Sequence, residues 1–297
     1  MKKLFLASAS VLTLISACTK EVEVADRAGI LQKFPEIDAD AEDEVQDIGI
    51  ERLTTKFGGQ TIVANVMREG ISEELPEEFI GGYVSGIAGD ILDGDAIKYG
   101  DGEGFFIDGD AVDNNGAIYV SGTGEDMVGV GIFVGMEAED SLMIIAAGTE
   151  VSEMPATGEF NYEGANFIAI IPQGDEEIDQ ADEETNGDYG SFKATVDFAA
   201  GKGSINADFQ NDLTIIDGDF TVDTATGIFV GDKLEMSDIG GTFDTATIHG
   251  NFHGEGASGM TGIYTPNVEE PHFIGAIAGQ QVTPTVIIDS LDNQSQF

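Results

Sequence analysis

Hydrophobic and polar positions alternate along most of the chain in the manner of β-strands. After residue 60, alternating stretches and short apolar runs are separated by glycine or Asp-Gly pairs, with little helical periodicity. Alternation with a period of two is typical of strands that are buried on one face. One short helix is predicted at 28–33, ended by Pro35, which a helix interior does not accept. The pattern therefore predicts an all-β protein.

The predicted strands fall into two groups. A small, β-rich, handle-like region at 48–152 holds candidates at 61–66, 79–87, 104–107, 117–121, 128–134 and 142–147. A region at 153–280 holds eight, at 158–163, 166–171, 189–198, 203–209, 213–222, 240–252, 256–264 and 272–278, besides a strand-like piece at 227–230. Eight sequential strands joined by short turns predict an antiparallel up-and-down β-barrel, which leaves no free sheet edge. Side chains just fill a barrel of that size.

The first residues carry an export signal. Two lysines follow Met1, and an apolar run from Leu4 to Ala17 ends at Cys18, the only cysteine of the chain. The run is too short to span a bilayer as a permanent helix, and its end resembles the bacterial lipobox. We therefore expect residues 1–17 to be a signal peptide, Cys18 to be lipidated and Thr19 to direct the protein to the outer membrane. An ordinary cleaved signal beside a chance cysteine is the alternative.

The segments outside the two folded regions are assigned next, and the net charge limits the class of partner. Residues 18–47 are acidic and are predicted to be a tether behind the lipid anchor, and 281–297 a C-terminal tail. The chain holds 56 acidic against 12 basic residues, a net charge of −44, which argues against nucleic acid as a partner. Adaptation to a salty environment explains this charge more simply than a specific cation site does.

An aspartate-rich repeat is a candidate for calcium. Asp93 and Asp95 recur fifteen residues later as Asp108 and Asp110, each pair within Asp-Gly-Asp. Carboxylate oxygens are ligands for calcium, but neither copy has the glycine at the sixth position or the closing glutamate of an EF-hand loop. Because Asp-Gly is also a common hairpin turn, turns are the simpler interpretation.

The three histidines are the weak candidates for ligand binding. His249 and His253 lie four residues apart in a predicted strand and so share a face, while His272 precedes the last strand. A separation of roughly 13 Å is too long for one metal ion, so they would flank a haem or act separately. Two polar positions on a barrel strand are the simpler interpretation. No catalytic grouping stands out, and we expect no enzymatic activity.

Four segments resemble the transferrin-binding protein B superfamily of surface lipoproteins. Residues 154–164 resemble its opening barrel strand, with a Pro-x-x-Gly-x-x-x-Tyr-x-Gly pattern, and 194–203 resemble its Val-Asp-Phe hairpin. Residues 250–262 resemble its Gly-x-Phe-Tyr-Gly segment, and 273–279 its closing strand. This chain departs from the third pattern, with His253 in place of an aromatic residue and Ser258-Gly259-Met260 in place of Glu-Val-Gly.

The resemblance implies a single handle-plus-barrel lobe on the bacterial surface. Members capture transferrin, lactoferrin, haem, haemoglobin or complement regulators, beside an outer-membrane transporter or a surface-export barrel. It implies capture of an iron- or haem-related solute or of a host or environmental metalloprotein, with haem, iron and calcium as candidate ligands or cofactors. The alternatives are an interaction lipoprotein of the envelope without a small ligand and an integral outer-membrane barrel. The integral outer-membrane barrel is less favoured, because charged residues such as Lys193, Asp197 and Asp208 interrupt the predicted strands.

Overall fold

A computed structural model describes two β-sheets and the turns that join their strands. It covers residues 30–33, 49–57, 59–69, 98–99, 102–108, 115–121, 126–134, 142–170, 187–209, 214–236, 245–268 and 273–282. Within these ranges the helical residues are 3₁₀ only, at Glu255–Ala257 and at Asp126, and no helix is long and apolar enough to cross a membrane. The prediction of an all-β fold is confirmed.

The first sheet has eight antiparallel strands in the order β1-β2-β3-β8-β7-β6-β5-β4. They are β1 (Ile30–Lys33), β2 (Glu51–Phe57), β3 (Gln60–Glu69), β4 (Lys98–Tyr99), β5 (Gly102–Asp108), β6 (Asn115–Ser121), β7 (Val128–Val134) and β8 (Leu142–Thr149). The helix predicted at 28–33 is wrong: β1 pairs with β2, from Ile30 opposite Thr54 to Lys33 opposite Glu51. The local pattern could not show this, because the partner strand supplies the hydrogen bonds that decide it. A strand therefore lies inside the segment predicted as a tether.

The second sheet is a closed barrel in which each strand pairs with the next and β9 closes the ring between β16 and β10. Its strands are β9 (Glu159–Ile170), β10 (Gly187–Asp197), β11 (Lys202–Phe209), β12 (Thr214–Asp223), β13 (Ile228–Glu235), β14 (Thr245–His253), β15 (Gly259–Pro266) and β16 (Phe273–Val282). The predicted eight-stranded antiparallel barrel is confirmed, with two changes in how its strands are assigned. The strands predicted at 158–163 and 166–171 are one strand, β9, and the piece at 227–230 begins a full strand, β13.

The barrel encloses a continuous apolar core. Inward-facing side chains from all eight strands form it, with Tyr162, Phe192, Phe229, Phe252 and Tyr264 as its largest fully buried or nearly buried members. Phe252 lies 5.4 Å, centroid to centroid, from Phe229 and 5.2 Å from Phe198. Such tilted aromatic contacts fill the space that a barrel of eight strands encloses.

One face of the first sheet packs against the outer wall of the barrel. Met67, Ile144 and Ala146 of the sheet belong to one buried cluster with Ile263 and Ile274 of the barrel. Registers place the sheet residues on one face and the barrel residues on the outside of β15 and β16. The two sheets therefore share a second hydrophobic core, beside the one inside the barrel.

Candidate functional site

A row of polar residues on the outside of β14 lies between the two sheets. Residues Thr247, His249, Asn251 and His253 alternate with the inward-facing residues of the strand, and all four are buried. Polar groups are costly to bury unless they form hydrogen bonds. We call this row, together with the residues of the first sheet that contact it, the seam.

His253 is held at the seam through both of its ring nitrogens. Nδ1 lies 3.1 Å from the carbonyl oxygen of Thr149, and Nε2 lies 2.8 Å from Oγ1 of Thr261. A carbonyl can only accept, so Nδ1 carries the proton and Nε2 accepts from the threonine hydroxyl. Burial lowers the pKa of His253 to about 4, with Arg52 adding to the effect and the bond to Thr149 opposing it. The imidazole is therefore neutral at pH 7.

The seam also contains a glycine contact and an amide pair. A Cβ on Gly148 of β8 would lie 2.5 Å from Cγ of His253, so the ring can occupy its place only over a glycine. Nearby, Nδ2 of Asn251 donates to Oδ1 of Asn65 on β3 at 2.7 Å. These contacts join β14 of the barrel to strands of the first sheet that are more than 100 residues away in sequence.

A cavity of about 270 Å³ opens at one end of the seam. It is lined by residues of both sheets and of the segments that join them: Arg52, Val63, Glu150, Val151, Ala225, Thr226 and Phe252. We call it the junction cavity. Arg52 comes from β2 and Glu150 from the residue after β8, so the cavity carries one cationic and one anionic side chain between apolar walls.

The turn between β12 and β13 forms one rim of the junction cavity and is held by Asp223. Its Oδ1 accepts from the backbone N–H of Ala225 at 2.9 Å, and its Oδ2 accepts from the hydroxyl of Thr226 at 2.8 Å. The chain after β8 is held as well, since Ser152 N–H donates to Gly254 O at 3.2 Å. The rim is therefore fixed on both sides before any ligand binds.

The part of the barrel wall formed by β10, β11 and β12 is polar and faces solvent. Its outward side chains include Lys193, Asp197, Lys202, Asp217 and Asp219, all exposed. This part of the wall is therefore apolar on its inner face and polar on its outer face.

The structure brings together two of the residues predicted as candidate ligands. His249 and His253 lie on one face of β14, as the sequence predicts, but that face is covered by the first sheet. A ligand-binding role for them stays a prediction. Cys18, Asp93, Asp95, Asp110 and His272 lie outside the described residues, and Asp108 ends β5 with its side chain outside them. No three His, Cys, Asp or Glu side chains of the described part converge on a metal-binding arrangement.

Sequence reasoning missed the two charged residues of the junction cavity. Arg52 belongs to a strand that no strand candidate covered, and Glu150 follows a strand that was predicted to end at 147. The signal that could have found Arg52 is its position in Ile50-Glu51-Arg52-Leu53, between two apolar residues and directly before one of them. An arginine in such a stretch, in a chain with few cations, marks a position worth testing for a role.

The same residues that form the barrel match a known family. Residues 154–281 match the family of C-lobe and N-lobe beta barrels of Tf-binding protein B. The match covers the barrel, 128 of the 297 residues of the chain. The resemblance drawn from the four sequence segments is thereby confirmed for the barrel.

Solved structures of Tf-binding protein B and its relatives are similar to this chain at low identity. A crystal structure of a surface lipoprotein is 14% identical, with a TM-score of 0.42, covering 55% of this chain and 80% of that one. The N-lobe domain of lactoferrin binding protein B of Moraxella bovis is 15% identical, with a TM-score of 0.36, covering 67% and 85%. Transferrin binding protein B of Neisseria meningitidis is 12% identical, with a TM-score of 0.40, covering 60% of this chain and 36% of that one. No curated protein sequence matches this chain.

The segments that resemble Tf-binding protein B have structural roles in the barrel. Tyr162 of the first segment is buried, and its hydroxyl donates to the carbonyl oxygen of Ala257 at 2.6 Å, which fixes the turn between β14 and β15. Asp197 of the second segment accepts from the N–H groups of Ala199 and Ala200 at 2.9 and 3.1 Å and fixes the next hairpin turn. These residues therefore explain the fold of the barrel rather than a ligand.

Three of the four residues that depart from the Tf-binding protein B pattern lie where the barrel contacts the first sheet, namely His253, Ser258 and Gly259, while Met260 is buried in the barrel core. His253 bonds to Thr149 O, and the hydroxyl of Ser258 donates to Oδ1 of Asp126 at 2.6 Å. A Cβ on Gly259 would lie 2.5 Å from Cγ1 of Val128 on β7. The third segment is therefore adapted in this chain to the surface of its own first sheet.

Proposed function

We propose that this protein is an outer-membrane lipoprotein, exposed on the cell surface, that captures an iron- or haem-related solute or its carrier protein for uptake. The observation that carries the proposal is the barrel of residues 154–281, which matches a family named for a binding protein.

The packed barrel core favours a protein partner over a solute held inside the barrel. Phe192, Phe229 and Tyr264 fill the interior at full burial, so a ligand such as haem would have to displace part of the core. Replacing packed aromatic contacts costs several kcal/mol, about 3–5 for each large side chain lost from a core. Capture therefore takes place on outer surfaces and loops, which are the parts a rigid scaffold presents to partners.

The anchor and the partners follow from the first residues and from the family resemblance. Cys18 would carry the lipid, and several acyl chains together anchor a protein firmly, since each buried CH₂ contributes about 0.8 kcal/mol. A transporter in the outer membrane would receive the captured solute, or a surface-export barrel would deliver the lipoprotein. With 56 acidic residues, the protein attracts basic partner surfaces.

The capture function is tested by binding measurements on residues 19–297 without the lipid. Immobilised protein is exposed to iron-loaded and iron-free transferrin, lactoferrin and haemoglobin, and a haem titration is followed by absorbance. We expect one carrier protein to bind and haem alone to leave the melting temperature unchanged, because the barrel holds no space for it. Absence of binding by every carrier, from protein shown to be folded, would contradict the proposal and favour an interaction lipoprotein without a nutrient ligand.

The location is tested separately on intact cells. Protease added to cells should degrade the wild-type protein, and labelled palmitate should be incorporated into it. The variant Cys18→Ala should lose the label and leave the membrane fraction, while Ser16→Ala serves as a control that keeps both. Protection from protease in cells with an intact outer membrane would place the protein on the periplasmic side.

A further inference from the structure

We propose that the junction cavity binds a small zwitterion, a molecule of amino-acid size with a carboxylate, an ammonium group and an apolar body. Arg52 receives the carboxylate, Glu150 the ammonium, and Val63, Val151 and Phe252 contact the body. This site is separate from the surface capture of a carrier protein and does not depend on it.

Arg52 brings its guanidinium to the cavity. Its Nε atom is buried beneath the surface, so a ligand in the cavity meets the two terminal amino groups. These two groups form a planar fork that matches the two oxygens of a carboxylate. A carboxylate in the cavity pairs with this fork end-on.

Glu150 supplies the opposite charge at the same cavity. It is exposed, and its charge acts on Arg52, where it opposes the burial that lowers the pKa of the guanidinium. Its backbone is held on both sides, since Glu150 N–H donates to Thr61 O at 2.8 Å and the residue forms a β-bridge with His253. The carboxylate is therefore placed at the mouth of the cavity, where an ammonium group can reach it from solvent.

The net charge of the protein selects against a simple anion. At −44 the molecule repels anions from solution, and an isolated arginine gains little against that field. A zwitterion carries no net charge, so it approaches without this penalty and pairs with both side chains. The two charges of the cavity and the charge of the whole molecule thus point to the same class of ligand.

The volume and the lining of the cavity limit the size of the ligand and how much the site must rearrange to bind it. About 270 Å³ lies below the range of roughly 300–1,000 Å³ that drug-sized ligands occupy, so the ligand is smaller than these. Val151 packs against the barrel core, and Phe252 is 2% exposed and belongs to it, so the apolar wall is rigid. Asp223 fixes the opposite rim through Ala225 and Thr226. A preformed cavity of this kind binds with little ordering cost.

The test uses residues 19–297 and three forms of one ligand. Calorimetry and thermal shift are measured with glycine, alanine, valine, leucine and phenylalanine, and then with the methyl ester and the N-acetyl form of the best binder. We expect binding by at least one free amino acid, and a Kd at least tenfold higher for both blocked forms. Equal binding of the N-acetyl form would overturn the zwitterion, and no binding by any free amino acid at 10 mM would overturn the site.

Substitutions at Arg52 and Glu150 test whether these two side chains contact the ligand. We expect Arg52→Gln and Glu150→Gln each to raise the Kd of the free amino acid at least tenfold, and Arg52→Lys to recover part of the loss. Lys193→Gln and Glu159→Gln, which change the same charges at exposed positions of the barrel wall, should leave the Kd unchanged. An equal effect of the control pair would show that net charge rather than the cavity governs binding. If Arg52→Gln does not fold, Glu150→Gln and the two blocked forms of the ligand still test whether the cavity binds a zwitterion.

Discussion

His253 is the residue where the chemistry of the seam depends most directly on pH. Its folded-state pKa, about 4, lies below the ordinary value of 6.5, so the unfolded chain binds a proton more readily than the folded one. The stability that this residue contributes is complete above pH 6.5 and is lost as the pH falls to about 4. A difference of this size corresponds to roughly 3 kcal/mol. Arg52 is the charged group that acts on the ring, and it disfavours the imidazolium further.

We expect the variant His253→Asn to flatten this dependence. Urea unfolding of wild type and variant at pH 7.5, 6.5, 5.5 and 4.5 gives the free energy of unfolding at each pH. The wild type should lose more stability than the variant between pH 6.5 and 4.5, because the acidic residues titrate in both and cancel in the comparison. Parallel curves would show that His253 takes up its proton without opening the seam.

Tyr162 supports the second prediction at the scale of a residue. The variant Tyr162→Phe keeps the ring in the core but removes the donor to Ala257 O, which leaves a buried acceptor at a turn where Ala257 itself has a φ of 60°. We expect a loss of about 1–2 kcal/mol in the free energy of unfolding, and faster amide exchange in residues 254–258. Tyr264→Phe, which removes the 2.7 Å bond to Asn166 elsewhere in the core, is the matched control and should leave that exchange unchanged.

The strand β9 shows what the sequence could and could not predict about an element. Alternation predicted strand on both sides of Gly164-Ala165, and the glycine pointed to a turn there. The structure continues the strand, because a glycine at this position lets β16 approach: a Cβ on Gly164 would lie 2.2 Å from Ala278 O. The seam likewise could be predicted from the sequence only in part. The shared face of His249 and His253 follows from their spacing, but the sheet that covers them is more than 100 residues distant in sequence.

This close approach leads to a prediction at the scale of the element. In Gly164→Ala the new methyl group meets backbone atoms of Ala278 and Gly279, which cannot move without separating β9 from β16. We expect a loss of about 1–3 kcal/mol or more. Gly218→Ala is the matched control, since a Cβ there would lie 3.0 Å from Cδ2 and 3.2 Å from Cα of Leu234, contacts that a shift of a few tenths of an ångström relieves. Denaturant unfolding measures both, and equal losses would mean that β9 and β16 adjust as easily as the neighbours of Gly218 do.

At the scale of the whole molecule, the two sheets form one hydrophobic unit. The outer wall of the barrel contributes Ile263, Ile274, Ala276 and Ala278 to a cluster completed by Met67, Leu142 and Ile144 of the first sheet. Without that sheet this wall would present apolar side chains to water, and exposed apolar patches promote association. The seam adds the polar contacts that fix how the sheets meet, among them the pair Asn65–Asn251.

The barrel produced alone, as residues 154–282, should therefore behave differently from the protein of residues 19–297. We expect the fragment to associate in size-exclusion chromatography, to bind a hydrophobic dye and to unfold at lower denaturant concentration, because the wall that packs against β7 and β8 is uncovered. Replacing Ile263 and Ile274 by threonine, which suits an exposed strand position, should restore a monomer in the fragment. In the longer chain the same two changes should destabilise, because they place hydroxyl groups in the shared core. A monomeric fragment as stable as the longer chain would show that the barrel needs no cover. The first sheet would then be free to move relative to the barrel when a partner binds.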